Sequence, residues 1–257
     1  MDYTLLFAVI AVFLVSVVFS MFGQGGGSLY TPILFLLGYA ALISISTSLV
    51  LNLITALSAA IVYYRANLID LRMAAAFIPG ICIGAFIGGV MTNFVNPEIL
   101  LWIFVVFLVG AGARMIYTYW EKSSAEEACP VQFSYLIYAG IAIFSFGVGI
   151  LSGLLGVGGG TVIVPFLIFI CRYPTKGSAG TVSFIVIFSS LFGVIGHSAF
   201  GTLDLTLILA TAVAVFIGAN IGARFMVSVQ PRYIKAGFGA ILWAFAIQLI
   251  LKLTGIL

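Results

Sequence analysis

The sequence predicts an all-α polytopic membrane protein assembled from two inverted-topology repeats. Three observations carry that expectation. Hydrophobic residues fill 63% of 257 positions and charged residues only 7%, with a mean hydropathy of +1.31, whereas a soluble domain carries about 25% charge. A glycine-rich string in the first half recurs in the second. The loops that match between the halves carry opposite charge bias.

Apolar runs of about 20 residues, the length that crosses the hydrocarbon core, follow one another along nearly the whole chain, so one membrane domain without a soluble appendage is expected. Met1 and Asp2 are followed directly by an apolar run from Tyr3. With no basic segment and no small-residue cleavage site, that run reads as a retained membrane helix, not a signal peptide. The net charge of +3 comes from ten Lys and Arg against seven acids. These sit mostly at the ends of apolar runs, where they can snorkel to the interface, and nothing in the pattern suggests a nucleic-acid partner. Cys82, Cys129 and Cys171 stand apart, without metal-ligand or redox spacing; no metal site, cofactor or catalytic residue is expected.

The repeat rests on Gly23-Gln24-Gly25-Gly26-Gly27-Ser28-Leu29-Tyr30-Thr31-Pro32 against Gly156-Val157-Gly158-Gly159-Gly160-Thr161-Val162-Ile163-Val164-Pro165, an offset of 133 counted from Gly23 to Gly156. Further on, Asp70-Leu71 matches Asp204-Leu205, the Ile83–Gly88 string matches Ile217–Gly222, and Pro97 matches Pro231, all at 134, counted from Asp70 to Asp204. Self-similarity in constant order marks a duplication. The first repeat then spans residues 1–119, a polar linker (WEKSSAEEACP) residues 120–130, and the second repeat residues 131–257. Each half reads as an apolar arm, the glycine break, a short second arm and three helices, at 43–64, 72–93 and 98–119 and again at 177–198, 204–226 and 233–254. Asp70 and Asp204 open helices as N-caps.

Short loops rich in Lys and Arg face the cytoplasm. Arg65 and Arg72 flank one loop whose mate near 198–203 has no basic residue; Arg224, Arg232 and Lys235 lie in the mate of the uncharged 93–97 loop; Arg172 and Lys176 lie in the mate of the uncharged 39–43 turn. The halves should therefore lie upside down relative to one another. With Arg114 and Lys122 inside, both termini fall outside. Each glycine string then sits at the turn of a helical hairpin. Its second arm, Ser28 to Tyr39, spans about 18 Å at 1.5 Å per residue, too short to cross alone. The hairpin either crosses fully with a thin second arm or folds back near mid-membrane, and the second geometry is preferred.

Glycine backbone takes positive φ and approaches a ligand closely. Each string runs into a helix start with Ser28 or Thr161 expected at the N-cap, and exposed N–H groups at a helix N-terminus bind anions. Irregular backbone at membrane depth must be buried in protein or line a cavity, so two inverted hairpins would bring two donor sets together near the midplane. Gly84, Gly88, Gly218 and Gly222, at small-xxx-small spacing, are expected to serve helix packing. Gly-rich faces also leave room for a homodimer. Pro32 and Pro165 are expected to shape the second arms.

The paired strings GQGGGSLYTP and GVGGGTVIVP resemble the TauE/SafE sulfite exporter family over essentially the whole chain. That resemblance implies export of sulfite, sulfoacetate or a related sulfur-containing anion across the cytoplasmic membrane, and it carries Gly23, Gly25, Gly26, Gly27, Pro32, Gly156, Gly158, Gly159, Gly160 and Pro165 over as motif residues. Gln24 opposite Val157 breaks the repetition, so the halves should contribute unequally. Ser28, Thr161, Thr47, Thr181 and Asn52 are candidate substrate donors along with Gln24, and Ser46, Ser48 and Ser183 join them; membrane hydroxyls often bond only their own backbone, which puts Asn52 ahead of the hydroxyls. His197 reads as an interfacial residue, and Tyr117, Tyr119 and Trp120 as interface anchors. No Asp or Glu falls inside a span. The field adds about 2.3 kcal/mol per 100 mV to the exit of a monovalent anion, so uncoupled efflux is the simplest mechanism. The alternative is a passive anion channel; an intramembrane hydrolase using Ser152 and His197 is weaker still, because Gly149-Ile150-Leu151-Ser152-Gly153 lacks a nucleophile spacing.

Overall fold

The computed structural model describes residues 3–96, 98–103, 135–171, 173–198 and 203–228, with single positions 105, 106, 109, 110, 113, 247, 250 and 251. The linker 120–130, Cys129, Pro97, Pro231, the anchors Tyr117, Tyr119 and Trp120, and Arg114, Lys122, Arg172, Arg232 and Lys235 lie outside the described residues, as does nearly all of the expected 233–254 helix. Among the described residues all regular structure is helical: α1 (Tyr3–Ser20), α2 (Gly27–Leu36), α3 (Ala41–Arg65), α4 (Leu71–Thr92), α5 (Tyr135–Leu155), α6 (Gly160–Pro165) running into a π-helical turn (Phe166–Ile170), α7 (Thr175–Ser198) and α8 (Leu205–Ser228). Positions 98–103 are helical as well. Helices α3, α4, α7 and α8 are each long and apolar enough to span a bilayer. The protein is a polytopic membrane protein, and the expected helix boundaries differ from these by two residues or fewer.

Packing interleaves the two halves. Helix α4 lies on α5 and α7, α8 lies on α1 and α3, and α3 crosses α7 at the centre. Exchanging α1 with α5, α2 with α6, α3 with α7 and α4 with α8 reproduces this set of contacts. Lipid tails are as apolar as leucine, so membrane helices associate through close packing of small residues. Gly84 abuts the Phe146 carbonyl and Gly88 that of Ile150, while Gly218 and Gly222 abut Phe13 and Val17. A Cβ at any of these would collide with backbone. The small-xxx-small faces are consumed inside the chain, which removes the argument they gave for a homodimer.

Helix starts follow from side-chain chemistry. Asp70 Oδ1 accepts the Arg72 and Met73 N–H groups at 2.9 and 3.1 Å, and Asp204 Oδ1 accepts Leu207 N–H at 3.0 Å. At the second arms the caps differ from expectation: Gly26 and Gly159 are the N-caps and neither cap is made by a side chain. Ser28 and Thr161 fall just inside the helix, because the glycines turn the chain into the helix two residues earlier than the hydroxyl positions suggest. Pro32 lies within α2, and Pro165 ends α6 where the chain widens into the π-turn. Proline has no N–H to offer the preceding turn.

Hydrogen bonds give the depth of each hairpin. Tyr63, two residues from the end of α3, donates to the Ser20 and Met21 carbonyls at 2.7 and 2.9 Å. Gly26 and Gly27 instead meet Asn52, near the middle of α3. The first arm thus reaches nearly the far end of α3, the glycine strand climbs back, and the second arm begins halfway. This geometry lies between the two alternatives that arm length leaves open.

The basic loops gather at one end. Asn67 to Arg72 and Tyr173, Pro174, Lys176 and Gly177 line a cavity of about 530 Å³, and Lys176 Nζ donates to Val227 O near the end of α8 at 2.7 Å. At another place Tyr39, Leu37 and Leu34 cluster with Ala8 and Leu207, uniting the uncharged 39–43 turn with the start of α8.

Candidate functional site

The two glycine strands cross against the paired helices α3 and α7. Every residue from Phe19 through Leu34 and from Leu155 through Thr161 is buried. Each strand leans on the other half: a Cβ at Gly23 would collide with the Ala179 carbonyl and the Ser183 hydroxyl, and one at Gly156 with Ile45 O and Thr31 Oγ1. Gly27 abuts Gly156 and Val157, while Gly160 abuts Gln24. Ser28 and Thr161, repeat mates, meet hydroxyl to hydroxyl at 3.4 Å. A contact between equivalent residues is what a two-fold relation passing between them produces.

Asn52 fastens the crossing. Its Oδ1 accepts Gly26 N–H at 2.7 Å and Gly27 N–H at 3.2 Å, and its Nδ2 donates to Val157 O at 3.2 Å and Ser190 Oγ at 3.0 Å. Gly25 (φ +75°) and Gly158 (φ +76°) flank this amide so closely that a Cβ on either would overlap it. Glycine is required at both positions by backbone conformation and by space. The Ser48 hydroxyl adds a bridge, 2.9 Å from Gly156 O and 3.3 Å from Gly27 O.

The halves are unequal here. The position matching Asn52 is Val186, so nothing occupies the start of α6 as Asn52 Oδ1 occupies that of α2. Among the described residues the N–H groups of Gly158, Gly159, Gly160 and Thr161 have no hydrogen-bond acceptor. Gln24 is fully buried with neither amide atom partnered, a costly arrangement for a polar group. The crossing therefore combines free backbone donors with a free amide in a dry environment, which suits an oxygen-bearing anion.

Other expected residues bond elsewhere or not at all. Thr181 Oγ1 accepts Asp70 N–H at 3.0 Å beside the basic cavity, and its mate Thr47 is buried with an unpartnered hydroxyl. Ser183 bonds its own helix at Ala179 O, 2.9 Å away, as Ser46 does at Ile43 O, 3.2 Å away. His197 departs from its expected interfacial place. It is fully buried, with Nε2 on Gly153 O at 3.0 Å, because it does for the second hairpin what its mate Tyr63 does at Ser20 O for the first. Ser152 pairs with Ser189 at 2.7 Å, so the Ser152–His197 dyad is not assembled. Sequence reasoning missed Ser190 and the Tyr63–His197 pair; the latter was detectable as polar residues at matched positions.

Comparison with known proteins decides the relationship. The family profile described as Sulfite exporter TauE/SafE matches residues 8–249. The chain belongs to the TauE/SafE family. It is 28% identical over 251 residues to the probable membrane transporter protein YunE of Bacillus subtilis (strain 168), covering 90% of this chain and 92% of that one. A probable membrane transporter protein of Methanocaldococcus jannaschii is 25% identical over 262 residues, covering 95% and 94%. TauE/SafE family protein 6 of Arabidopsis thaliana is 28% identical over 134 residues, 51% of this chain and 30% of that one. No solved structure matches significantly. The protein is thus a multi-pass membrane transporter of the TauE/SafE type, with a lipid bilayer as its surroundings.

Proposed function

We propose that this transporter exports a small oxyanion, sulfite, sulfoacetate or a related organosulfonate, across the cytoplasmic membrane, and that the anion binds where the two glycine breaks cross. The observation that carries the reading is the pairing at the crossing of unpartnered donors, the Gly158 to Thr161 N–H groups and the Gln24 amide, with an oxygen, Asn52 Oδ1, already seated on the equivalent N–H groups of Gly26 and Gly27. One donor set already donates to an amide oxygen, which supports an oxygen-bearing ligand for the other. Gly23, Gly25, Gly156, Gly158 and Gly159 shape this cradle, and Gly160, Ser28 and Thr161 border it. Asn52 holds it together.

The chain reads as two inverted repeats, with the basic cavity on the cytoplasmic side. Burial of the whole crossing favours a carrier that alternates its access over a channel with a continuous pore, and the family's character as transporters favours transport over catalysis. A negative interior drives a monovalent anion outward by about 2.3 kcal/mol per 100 mV. Proteoliposomes loaded with sulfite or sulfoacetate test this at an imposed potential: saturable efflux that speeds up with interior-negative potential is expected, and flux linear in concentration would establish a channel instead.

A further inference from the structure

An apolar groove runs into the basic cavity. Leu57, Ile61 and Tyr64 line it along one face of α3 that ends at Arg65, and Phe184 and Ile187 of α7 line it from the second repeat, around a volume of about 240 Å³. Leu57, Ile61 and Tyr64 are exposed, so in a bilayer this face meets lipid. From Leu57 to Arg65 the groove follows α3 for about 12 Å at 1.5 Å per residue, most of the depth of one hydrocarbon leaflet, about 15 Å. Ile69 lines both the groove and the basic cavity, which makes the two continuous.

The cavity end is cationic. Arg65 lines the groove, Arg72 and Lys176 line the cavity, and Asp70 is the one acid among the lining residues of either. That carboxylate is already engaged: Oδ1 accepts the Arg72 and Met73 N–H groups and Oδ2 accepts Tyr173 Oη. Lys176 gives one hydrogen bond, to Val227 O, and keeps two donors. Arg65 and Arg72 are exposed, and among the described residues neither guanidinium is bonded. Three cations against one engaged acid, at the head of an apolar groove, suit a ligand with a negative head and an apolar tail. A free oxyanion gains nothing from the apolar wall. Basic pockets between membrane helices on the cytoplasmic side hold anionic headgroups, and Tyr64, one residue before Arg65, is placed as an interfacial aromatic.

We propose that groove and cavity together form a site for one anionic phospholipid, with its phosphate among Arg65, Arg72 and Lys176 and one acyl chain along Leu57, Ile61, Phe184 and Ile187. Such a lipid touches α3 and the loop after it in the first repeat and α7 in the second, so it bridges the halves where Tyr173 already meets Asp70. Phosphatidylcholine fits the groove equally well but brings a second cation to the basic end. The site lies in the leaflet that the basic loops assign to the cytoplasm, where anionic lipid gives the surface its negative potential. It does not depend on which anion is carried.

Native mass spectrometry of the full chain, titrated with phosphatidylglycerol or with phosphatidylcholine of the same acyl chains, reads occupancy directly. The first phosphatidylglycerol should bind at least tenfold tighter than the first phosphatidylcholine, and excess glycerol phosphate or sulfite, anions without a chain, should not displace it. Arg65→Gln with Arg72→Gln, which removes no side-chain hydrogen bond from the structure, should bring the two lipids to within about threefold of each other. Leu57→Ala with Ile61→Ala should weaken both lipids at least threefold and keep the preference. Equal affinity of the wild type for the two lipids, or a preference that survives loss of both arginines, would overturn the site. Displacement by glycerol phosphate or sulfite would overturn it too, by making the cavity a site for free anions. A wild type that shows the preference yet moves no anion leaves the lipid site standing and counts against the transport reading alone.

Discussion

Replacing Asn52 with Leu removes the side chain that joins both glycine strands to α3 and α7 while nearly preserving its volume. Four hydrogen bonds disappear, to Gly26 N, Gly27 N, Val157 O and Ser190 Oγ. Side-chain hydrogen bonds between membrane helices average about 0.6 kcal/mol, which gives about 2.4 kcal/mol for four. Leaving buried backbone groups unpaired raises the cost, so about 2–4 kcal/mol is expected. Asn52→Asp keeps an acceptor for Gly26 and Gly27 but brings a second oxygen to Val157 O, where a donor is needed, and should cost at least as much. Unfolding in a mixed-detergent titration measures both variants. A loss under about 0.5 kcal/mol for Asn52→Leu would refute the claim that this amide fastens the crossing.

Gly25→Ala and Gly158→Ala should each abolish efflux and lower stability, since left-handed backbone alone costs an L-residue about 1–2 kcal/mol and the new Cβ displaces Asn52; wild-type efflux from either would contradict the packing. His197→Gln, which can still donate to Gly153 O, should retain efflux and its pH profile, whereas His197→Phe should lose about 1 kcal/mol of stability; a flattened pH profile in the Gln variant would instead make His197 a proton carrier. The Tyr173 phenol, outside the spans, is pushed up to about 12 by burial and by the Asp70 carboxylate beside it. Because its folded value lies above the ordinary value of about 10, its contribution is complete below pH 10 and is lost as pH rises toward 12. Thermal stability should therefore show no Tyr173-dependent change from pH 6 to 9 and should fall between pH 10 and 12 by an amount that Tyr173→Phe removes; an equal fall in Tyr173→Phe would contradict it.

Much of the architecture was legible in the sequence because membrane insertion leaves few choices: apolar length locates spans, and basic residues sort the loops. The Asp70 and Asp204 caps were readable for the same local reason, a carboxylate placed before a helix. The Ser28 and Thr161 caps were misread, since local propensity favours a hydroxyl where the geometry instead places Gly26 and Gly159. His197 was misread because its position near a helix end says nothing about the hairpin arm that covers it. The glycine strings pointed to the crossing, but the fourfold engagement of Asn52 joins Gly26 and Gly27 to Val157 and Ser190, the latter two 105 and 138 positions from it, and no local pattern encodes it.

The proposed oxyanion cradle lies between the two glycine strands. Crystals soaked in selenite, a heavier analogue of sulfite, test it most directly through anomalous scattering. A selenium peak is expected beside Gly158 to Thr161, with oxygens about 3 Å from their N–H groups and within reach of Gln24. A selenium site confined to the basic cavity, with the crossing unchanged, would contradict it.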